Sequence, residues 1–391
     1  MLSLLSSMVQ GGIELKLEIV SLYLIYFSLL TVIIYAFYLN KKSSKEFTPN
    51  KIEEFNDRLL QAFLMTHGGN HISHLIFLKD KQLFWSKDKK VLIAYKINFN
   101  RAIVLGDPIG ESSSLQEAIN VLYQDCKSKG VKPLFYQISP SHMHLYQETG
   151  YRLMKLGEEG KVTLPTYTLE GKQGAKLRTK FNKFSRLGYT FRIATPPYSD
   201  AFLEELSAVS NSWLGTQKEK GFSVVSFSKE YVERFPVALL YDSNGHVVAF
   251  VTLASDHRKT LIIDLMRKIP NTPHGTMDVL FIHIMRWAKN HDYQSCSLGM
   301  APLANVGNSE DSLFSEKIIH LLSSYGKSSY NIKGLKEFKS KFASVWEPKY
   351  LAYKGTFLPI ALIQIYLVIH KTPVPQPIFV NKIRLLLKKA G

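Results

Sequence analysis

Apolar and polar residues follow one another in the same order in two separate stretches of this chain. Residues 82–139 read as three strand segments (QLFWS, KVLIAYKI, AIVLGDP), a helical segment (SLQEAINVLYQDCKSKG) and a further strand (KPLFYQIS). Residues 236–299 repeat that order with PVALLYD, HVVAFVTLAS and TLIIDLMR, then TMDVLFIHIMRWAKN, then YQSCSLG. Short β-branched runs between turn formers predict strands, and spacings of three and four predict helices. In the second helix Met277, Leu280, Phe281, Ile284, Trp287 and Ala288 form one apolar stripe. Ser243-Asn244-Gly245 predicts a tight hairpin, because Asn-Gly readily supplies positive φ. Glycines and turn formers near residues 160–175 mark a boundary between the two halves. The pattern predicts an α/β protein with one half over 46–165 and a second over 166–391, behind an N-terminal segment 1–45.

That N-terminal segment has a pattern of its own. Ile19–Leu39 runs for 21 residues without a formal charge. This length spans a hydrocarbon core of roughly 30 Å as a helix. Tyr23, Tyr26, Tyr35 and Tyr38 place rings near its ends, and Lys41, Lys42 and Lys45 follow it. The positive-inside bias then puts the rest of the chain in the cytosol, behind a single-pass anchor in the cell membrane. A cleaved signal peptide fits less well, since no basic region precedes the run. Phe357–Ile369 is apolar for only 13 residues and contains Pro359 and Gln364, which predicts a buried or interfacial helix. The tail Asn381–Gly391 sets four cations around a leucine cluster, a pattern shared by membrane-surface helices and frayed basic termini.

Charge adds a partner to this picture. The 391 residues carry 49 Lys+Arg against 32 Asp+Glu, a net +17, which points to nucleic acid or an anionic membrane. The excess is spread over many segments, and within it Lys172–Arg192 carries seven cations and no acid. Lys176, Arg178, Lys180, Lys183 and Arg186 are therefore candidate contacts to tRNA or lipid phosphates. The two cysteines, Cys126 and Cys296, exclude a disulfide scaffold and read as core thiols.

Candidate chemistry is sparse. No G-x-S-x-G elbow is present. His67, His71 and His74 have spacings compatible with zinc, but Gly68-Gly69 interrupts a helix there, so no metal site is expected and locally hydrogen-bonded imidazoles are the default. Hairpin, strand, helix, strand is the core order of GCN5-related N-acetyltransferase-like (GNAT) folds, so the two halves predict tandem domains of that type. Such folds hold coenzyme A pyrophosphate on a glycine-rich loop before the helix. Here that loop is Arg267–Thr276, with one glycine and two prolines. Proline lacks the donor such a cradle uses, so acetyl-coenzyme A is disfavoured. Asp264 lies among apolar neighbours in TLIIDLMR, where a carboxylate is costly unless paired or used. An ideal strand points Arg267 to the opposite face, and the two converge only if the strand ends or bulges after Met266. In GLKEFKSKF, Lys339 falls within the apolar arc of Leu335, Phe338 and Phe342, so it either snorkels to a rim or lines a site.

Four blocks then carry a family resemblance: residues 67–110, WLGTQKEKGFS at 213–223, residues 260–307 and YNIKGLKEFKSKFASVWEPKYLAY at 330–353. Over about residues 50–370 the chain resembles the cytosolic synthase region of the phosphatidylglycerol aminoacyltransferases, the multiple peptide resistance factor family. The resemblance implies tandem acyltransferase folds that move an aminoacyl group, often lysyl, from aminoacyl-tRNA to a phosphatidylglycerol hydroxyl, lowering the negative charge of the membrane and conferring antimicrobial peptide resistance. It implies catalytic roles for Asp264, Arg267, Lys339 and Tyr231, and lining roles for Glu219 and Asn305. No cofactor is expected, because exchange of one ester for another is near thermoneutral. Lipid translocation, which other members owe to a multi-span domain, is not carried over. The rival readings are a coenzyme A-dependent acyltransferase and a non-catalytic tRNA- or membrane-binding protein.

Overall fold

A computed structural model describes residues 56–306 and 327–370, together with Thr31. The rest of the 19–39 run, its lysine flank and the basic tail lie outside the described residues. Among the described residues no helix is long and apolar enough to cross a membrane.

The chain enters through helix α1 (Asp57–His67) and a 3₁₀ segment (Ser73–Leu78). It continues through β1 (Gln82–Trp85), β2 (Val91–Asn98), β3 (Arg101–Leu105) and the short β4 (Ile109–Gly110). Next come α2 (Leu115–Ser128), β5 (Lys132–Ile138), α3 (Met143–Gln147) and the long β6 (Arg152–Thr163). The chain goes on through α4 (Gly171–Arg186), β7 (Thr190–Ala194), α5 (Asp200–Leu214) and α6 (Lys229–Val232). Then follow β8 (Val237–Tyr241), β9 (Val247–Ser255), β10 (Thr260–Lys268), α7 (Thr276–Asn290) and β11 (Ser295–Pro302). The described chain closes with α8 (Lys327–Ser340), β12 (Val345–Tyr353) and α9 (Leu358–His370).

All of these strands join one mixed sheet in the order β1-β2-β3-β5-β12-β6-β11-β10-β9-β8-β7, with β4 paired to β2. Only β3–β5 and β10–β11 are parallel. A parallel pair needs a long crossover, and these two are made by α2 and α7, the helices both repeats predict. In α2 the buried residues Leu115, Ala118, Ile119, Leu122 and Cys126 follow helical spacing against the sheet. Helix α7 buries more than its predicted stripe: Val279, Ile282 and Met285 are covered as well. The extra cover comes from α4, whose Leu177 and Phe184 share its core, with the Phe181 ring under Arg286 and tilted against His283.

Strand β12 lies between β5 and β6, so the last strand of the chain pairs with residues 134–138 on one side and 152–161 on the other. β6 in turn pairs with β11 on its far side. At this seam Lys349, fully buried, holds Glu159 at 2.9 Å and Glu347 at 2.6 Å. Burial alone would raise the Glu159 carboxyl, but the facing His71, Lys349 and Lys161 outweigh it and bring it down to about 2. Cys126 and Cys296 are buried core thiols, as expected, with burial pushing both upward, Cys126 to about 12.

Candidate active site

Strands β10 and β11 pair only through Thr260–Ile262 and Ser295–Ser297. Beyond that point each shifts register against its outer neighbour, β10 between Ile263 and Met266 and β11 between Ser297 and Met300. A bulge adds a residue on one side of a ladder and re-aims the side chains that follow. In β10 the displaced Leu265 N–H donates to the Thr252 hydroxyl at 3.0 Å, replacing the lost ladder bond. The irregularity falls before Met266 rather than after it, as the alternation had suggested. Asp264 and Arg267 consequently both meet elements that share a core with α1, α5 and α6.

Asp264 is held from two sides. The Tyr231 hydroxyl donates to its Oδ2, and His74 Nε2 lies 3.3 Å from its Oδ1. Tyr231 is 1% exposed, and burial beside this carboxylate pushes its phenol well above the ordinary range. Its hydroxyl is directed at Asp264 inside the protein. The Ser228 side chain caps the short α6 on the Tyr231 N–H, which fixes where the ring starts.

Arg267 points to the C-terminal end of α5. Its Nε donates to Ser210 Oγ at 3.1 Å and one terminal nitrogen to both Glu219 oxygens at 3.1 and 3.0 Å. Its guanidinium stacks 4.1 Å from the Trp213 ring centre, with Trp213 43% exposed. Burial lowers this guanidinium from its usual value, and the Glu219 carboxylate counteracts part of the effect. Glu219 thus fixes Arg267.

Lys339, on the apolar arc of α8, is buried and does not snorkel to a rim. Its Nζ donates to Gly299 O at 3.0 Å and Met300 O at 2.9 Å, on the part of β11 that has diverged from β10. Burial brings this ammonium down to about 7, with Glu159 acting in the opposite direction. Gly299 has φ 74°, and a β-carbon there would lie 3.6 Å from Nζ. Asn305 is placed further along, donating to Glu158 at 2.6 Å and accepting from Lys336 at 2.7 Å.

The loop that would cradle pyrophosphate is closed by the protein itself. Buried Asp278 in the first turn of α7 accepts from Lys180 and, at 2.8 Å, from Lys341. Gly275, with φ 100°, leaves room for the Lys180 stem: a β-carbon there would come within 2.9 Å of it. Among the candidate phosphate contacts, Lys180 is therefore committed to Asp278 and Arg178 to the Leu169 and Gly171 carbonyls. Lys176, Lys183 and Arg186 remain exposed.

The histidines depart from expectation. His71 bonds Gln137 at 3.2 Å, 66 residues away, and His74 bonds Asp264, so neither is satisfied locally. With different partners, His67, His71 and His74 do not converge, and no group of three or more metal-ligating side chains occurs among the described residues. His74 also lines a cavity of about 540 Å³, and its Nδ1 is buried with no partner. A lone histidine in a turn carries no signal that a strand 190 residues later will meet it.

Residues 61–353 match the family model described as phosphatidylglycerol lysyltransferase, C-terminal. The chain is 42% identical over 303 residues to the phosphatidylglycerol lysyltransferase of Bacillus subtilis (strain 168), covering 77% of this chain and 35% of that protein. It spans about a third of the length of such curated relatives. Among solved structures, L-PGS from Bacillus licheniformis is 40% identical with a TM-score of 0.73, covering 83% of this chain and all of that one. FemX, at 9% identity and a TM-score of 0.50, covers 79% of this chain and 98% of that one, and shares the mixed α/β fold. By the match to the family model and by identity to these relatives, the chain belongs to the family of C-terminal domains of phosphatidylglycerol lysyltransferases.

Proposed function

We propose that this chain transfers a lysyl group from lysyl-tRNA to a hydroxyl of phosphatidylglycerol. The observation that carries the reading is the set of groups around the divergence of β10 from β11. Asp264 is fixed there by Tyr231 and His74, and Lys339 is bound to the carbonyls of the separated strand. The lipid hydroxyl attacks the ester carbonyl of the charged tRNA, its proton must be taken up, and the tetrahedral oxyanion must be stabilised. A lysine near 7 has a large neutral fraction at physiological pH. Its two remaining N–H bonds are those donated to Gly299 and Met300, which leaves the lone pair for the incoming hydroxyl proton. After collapse the same nitrogen returns a proton to the departing ribose oxygen. Asp264 orients the α-ammonium of the aminoacyl group, and Tyr231 and His74 position Asp264. Arg267, held by Glu219 and stacked on Trp213, keeps one Nη1 N–H beyond its bond to the Met266 carbonyl for a lipid phosphate.

The wider arrangement follows the same reading. Residues 46–165 and 166–391 act as tandem GNAT-like halves, supported by the matched β3-α2-β5 and β10-α7-β11 units. Lys176, Lys183 and Arg186 make salt-sensitive contacts to tRNA phosphates. The 19–39 run anchors the body to the cytosolic face of an anionic membrane. Incubating the protein with phosphatidylglycerol vesicles and radiolabelled lysyl-tRNA tests the proposal. Label is expected in the lipid fraction, falling at least about 100-fold in Asp264→Asn and in Lys339→Ala. Lipid label that persists unchanged in both variants overturns the site; none with the parent protein overturns the function.

A further inference from the structure

Residues 215–228 join α5 to α6 without a helix or strand of their own. α5 brings Ser210 and Trp213 to Arg267, α6 brings Tyr231 to Asp264, and Glu219 lies on the segment between them. An irregular segment that positions functional groups needs fixed points on the scaffold. One is Gly221, whose N–H donates to Ile369 O of α9 at 2.9 Å. The other is Phe222, whose N–H donates to Asp80 Oδ2 at 2.9 Å across 142 residues of sequence. Phe222 is fully buried with φ 62°, a left-handed conformation that a bulky residue keeps only where its neighbours enforce it. Its ring centre lies 5.6 Å from Lys81 Nζ and 6.2 Å from that of Tyr136. Glu219 also accepts from the Phe227 N–H at 3.3 Å, so the carboxylate that holds Arg267 is itself tied to the far side of this turn.

Asp80 is equipped to act as a fixed point. It is 1% exposed, between the 3₁₀ segment and β1. Its Oδ1 accepts from Lys81 at 2.5 Å and its Oδ2 from Lys96 at 3.3 Å. Lys81 in turn donates to Leu75 O at 2.8 Å. Burial alone would raise the Asp80 carboxyl, but the two ammonium groups outweigh it and bring it below the ordinary value. Burial brings Lys81 down to about 8, with Asp80 and, more weakly, Asp264 acting in the opposite direction. The cluster is therefore within electrostatic reach of the reacting centre, yet the transfer chemistry makes no use of it.

Resting on the transferase reading above, we propose that Asp80 is a positioning residue: by accepting the Phe222 N–H it sets residues 215–228, so that Glu219 holds Arg267 in place for the lipid phosphate. Asp80 meets no substrate and acts through Phe222 and Glu219. Its loss weakens the hold on the lipid and leaves proton transfer at Lys339 in place, so it is read in KM for phosphatidylglycerol more than in kcat.

The test separates the acceptor from the ion pair. Asp80→Leu with Lys81→Met removes both charges and the acceptor. Asp80→Asn with Lys81→Met removes both charges and keeps an oxygen for the Phe222 N–H. Both leave the partly exposed Lys96 to solvent. Replacing a buried pair by apolar groups of similar volume is often close to neutral for stability, and thermal midpoints of both full-length variants check this. With lysyl-tRNA and phosphatidylglycerol vesicles, the leucine variant is expected to raise KM for the lipid about 10-fold or more, with kcat within about threefold of the parent. The asparagine variant is expected to stay within about threefold of the parent in both. Hydrogen exchange of the Arg267 Nε–H, which donates to Ser210, follows the geometry without any transfer. Read by NMR and assigned by its loss in Arg267→Lys, it is expected to quicken about 10-fold or more in the leucine variant and in Glu219→Gln, and not in the asparagine variant. Absence of lipid product from the parent with that exchange pattern intact overturns the transferase reading and keeps Asp80 as the anchor of the segment. A leucine variant with parental KM and exchange, or equal losses in the two variants, overturns the inference. A raised KM in the asparagine variant does so even where the leucine variant does not fold.

Discussion

Lys339 and Asp264 were legible one at a time, because each interrupts an apolar stripe and burial of such a group demands a partner or a use. Their partners were not legible. Gly299, Met300, Tyr231 and His74 are brought in by pairings across 33 to 190 residues of sequence, and nothing in local periodicity encodes such contacts. Lys339 has a consequence for stability that is independent of catalysis. Its folded value near 7 lies below the value near 10.5 of an unhindered lysine. Between those limits the unfolded chain holds a proton that the folded chain has released, so stability rises with pH across that interval. Below about 7 both states are protonated and the contribution is constant. The difference in unfolding free energy between parent and Lys339→Met, from urea melts at several pH values, is therefore expected to be flat below pH 7 and to shift in favour of the parent as pH climbs toward 10. A difference that does not change across that interval means the amine is not desolvated as its burial indicates.

Among the elements, the repeated order of strands and helices was readable because β2, β3, β9 and β10 are short apolar runs and α2 and α7 follow helical spacing. The bulge in β10 was foreseen only as a condition for Asp264 and Arg267 to meet, and its position was missed by two or three residues. The reason is physical: the residue that stabilises it, Thr252, is on the neighbouring strand and looks like any β-branched strand residue. Its buried hydroxyl is the acceptor for the Leu265 N–H. Thr252→Val keeps the shape and removes that acceptor, leaving a buried donor unpaired at a cost of about 1–3 kcal/mol. The expected result is a lower urea midpoint together with reduced transfer, since the side chains beyond the bulge lose their aim. Thr252→Ser restores the acceptor and is expected to recover activity more than stability, because it also removes a packed methyl group. Equal losses of activity in Val and Ser variants would show that the hydroxyl does not set the bulge.

For the molecule as a whole, the sequence pattern suggested two consecutive halves, and the sheet joins them through a strand from the far end of the chain. β12 carries no hydrophobic signature that distinguishes a central strand: VWEPKYLAY has a proline and two charges, features usually found at edges. Those charges are tolerated in the middle of the sheet because Lys349 meets Glu159 and Glu347 there, and Lys349 also reaches Ser139 Oγ at 3.2 Å. Breaking a buried pair by removing one member costs about 3–5 kcal/mol, because the other charge stays behind without compensation. Lys349→Ala is expected to lose an amount of that order. If β12 joins the two halves into one cooperative unit, the loss is felt on both sides of the seam. Amide exchange should then accelerate in β3 and β5 as well as in β10 and β11, to a similar extent. Lys349→Met combined with Glu159→Leu removes both charges while keeping most of the volume, and it is expected to recover a large part of the stability that Lys349→Ala loses. The double variant also takes away the carboxylate that raises Lys339, so its pH–rate profile for lysyl transfer is expected to move to lower pH even where folding is restored. Restored stability with an unmoved profile would separate the seam from the site, whereas movement of both ties the charge that closes the sheet to the buried amine of Lys339.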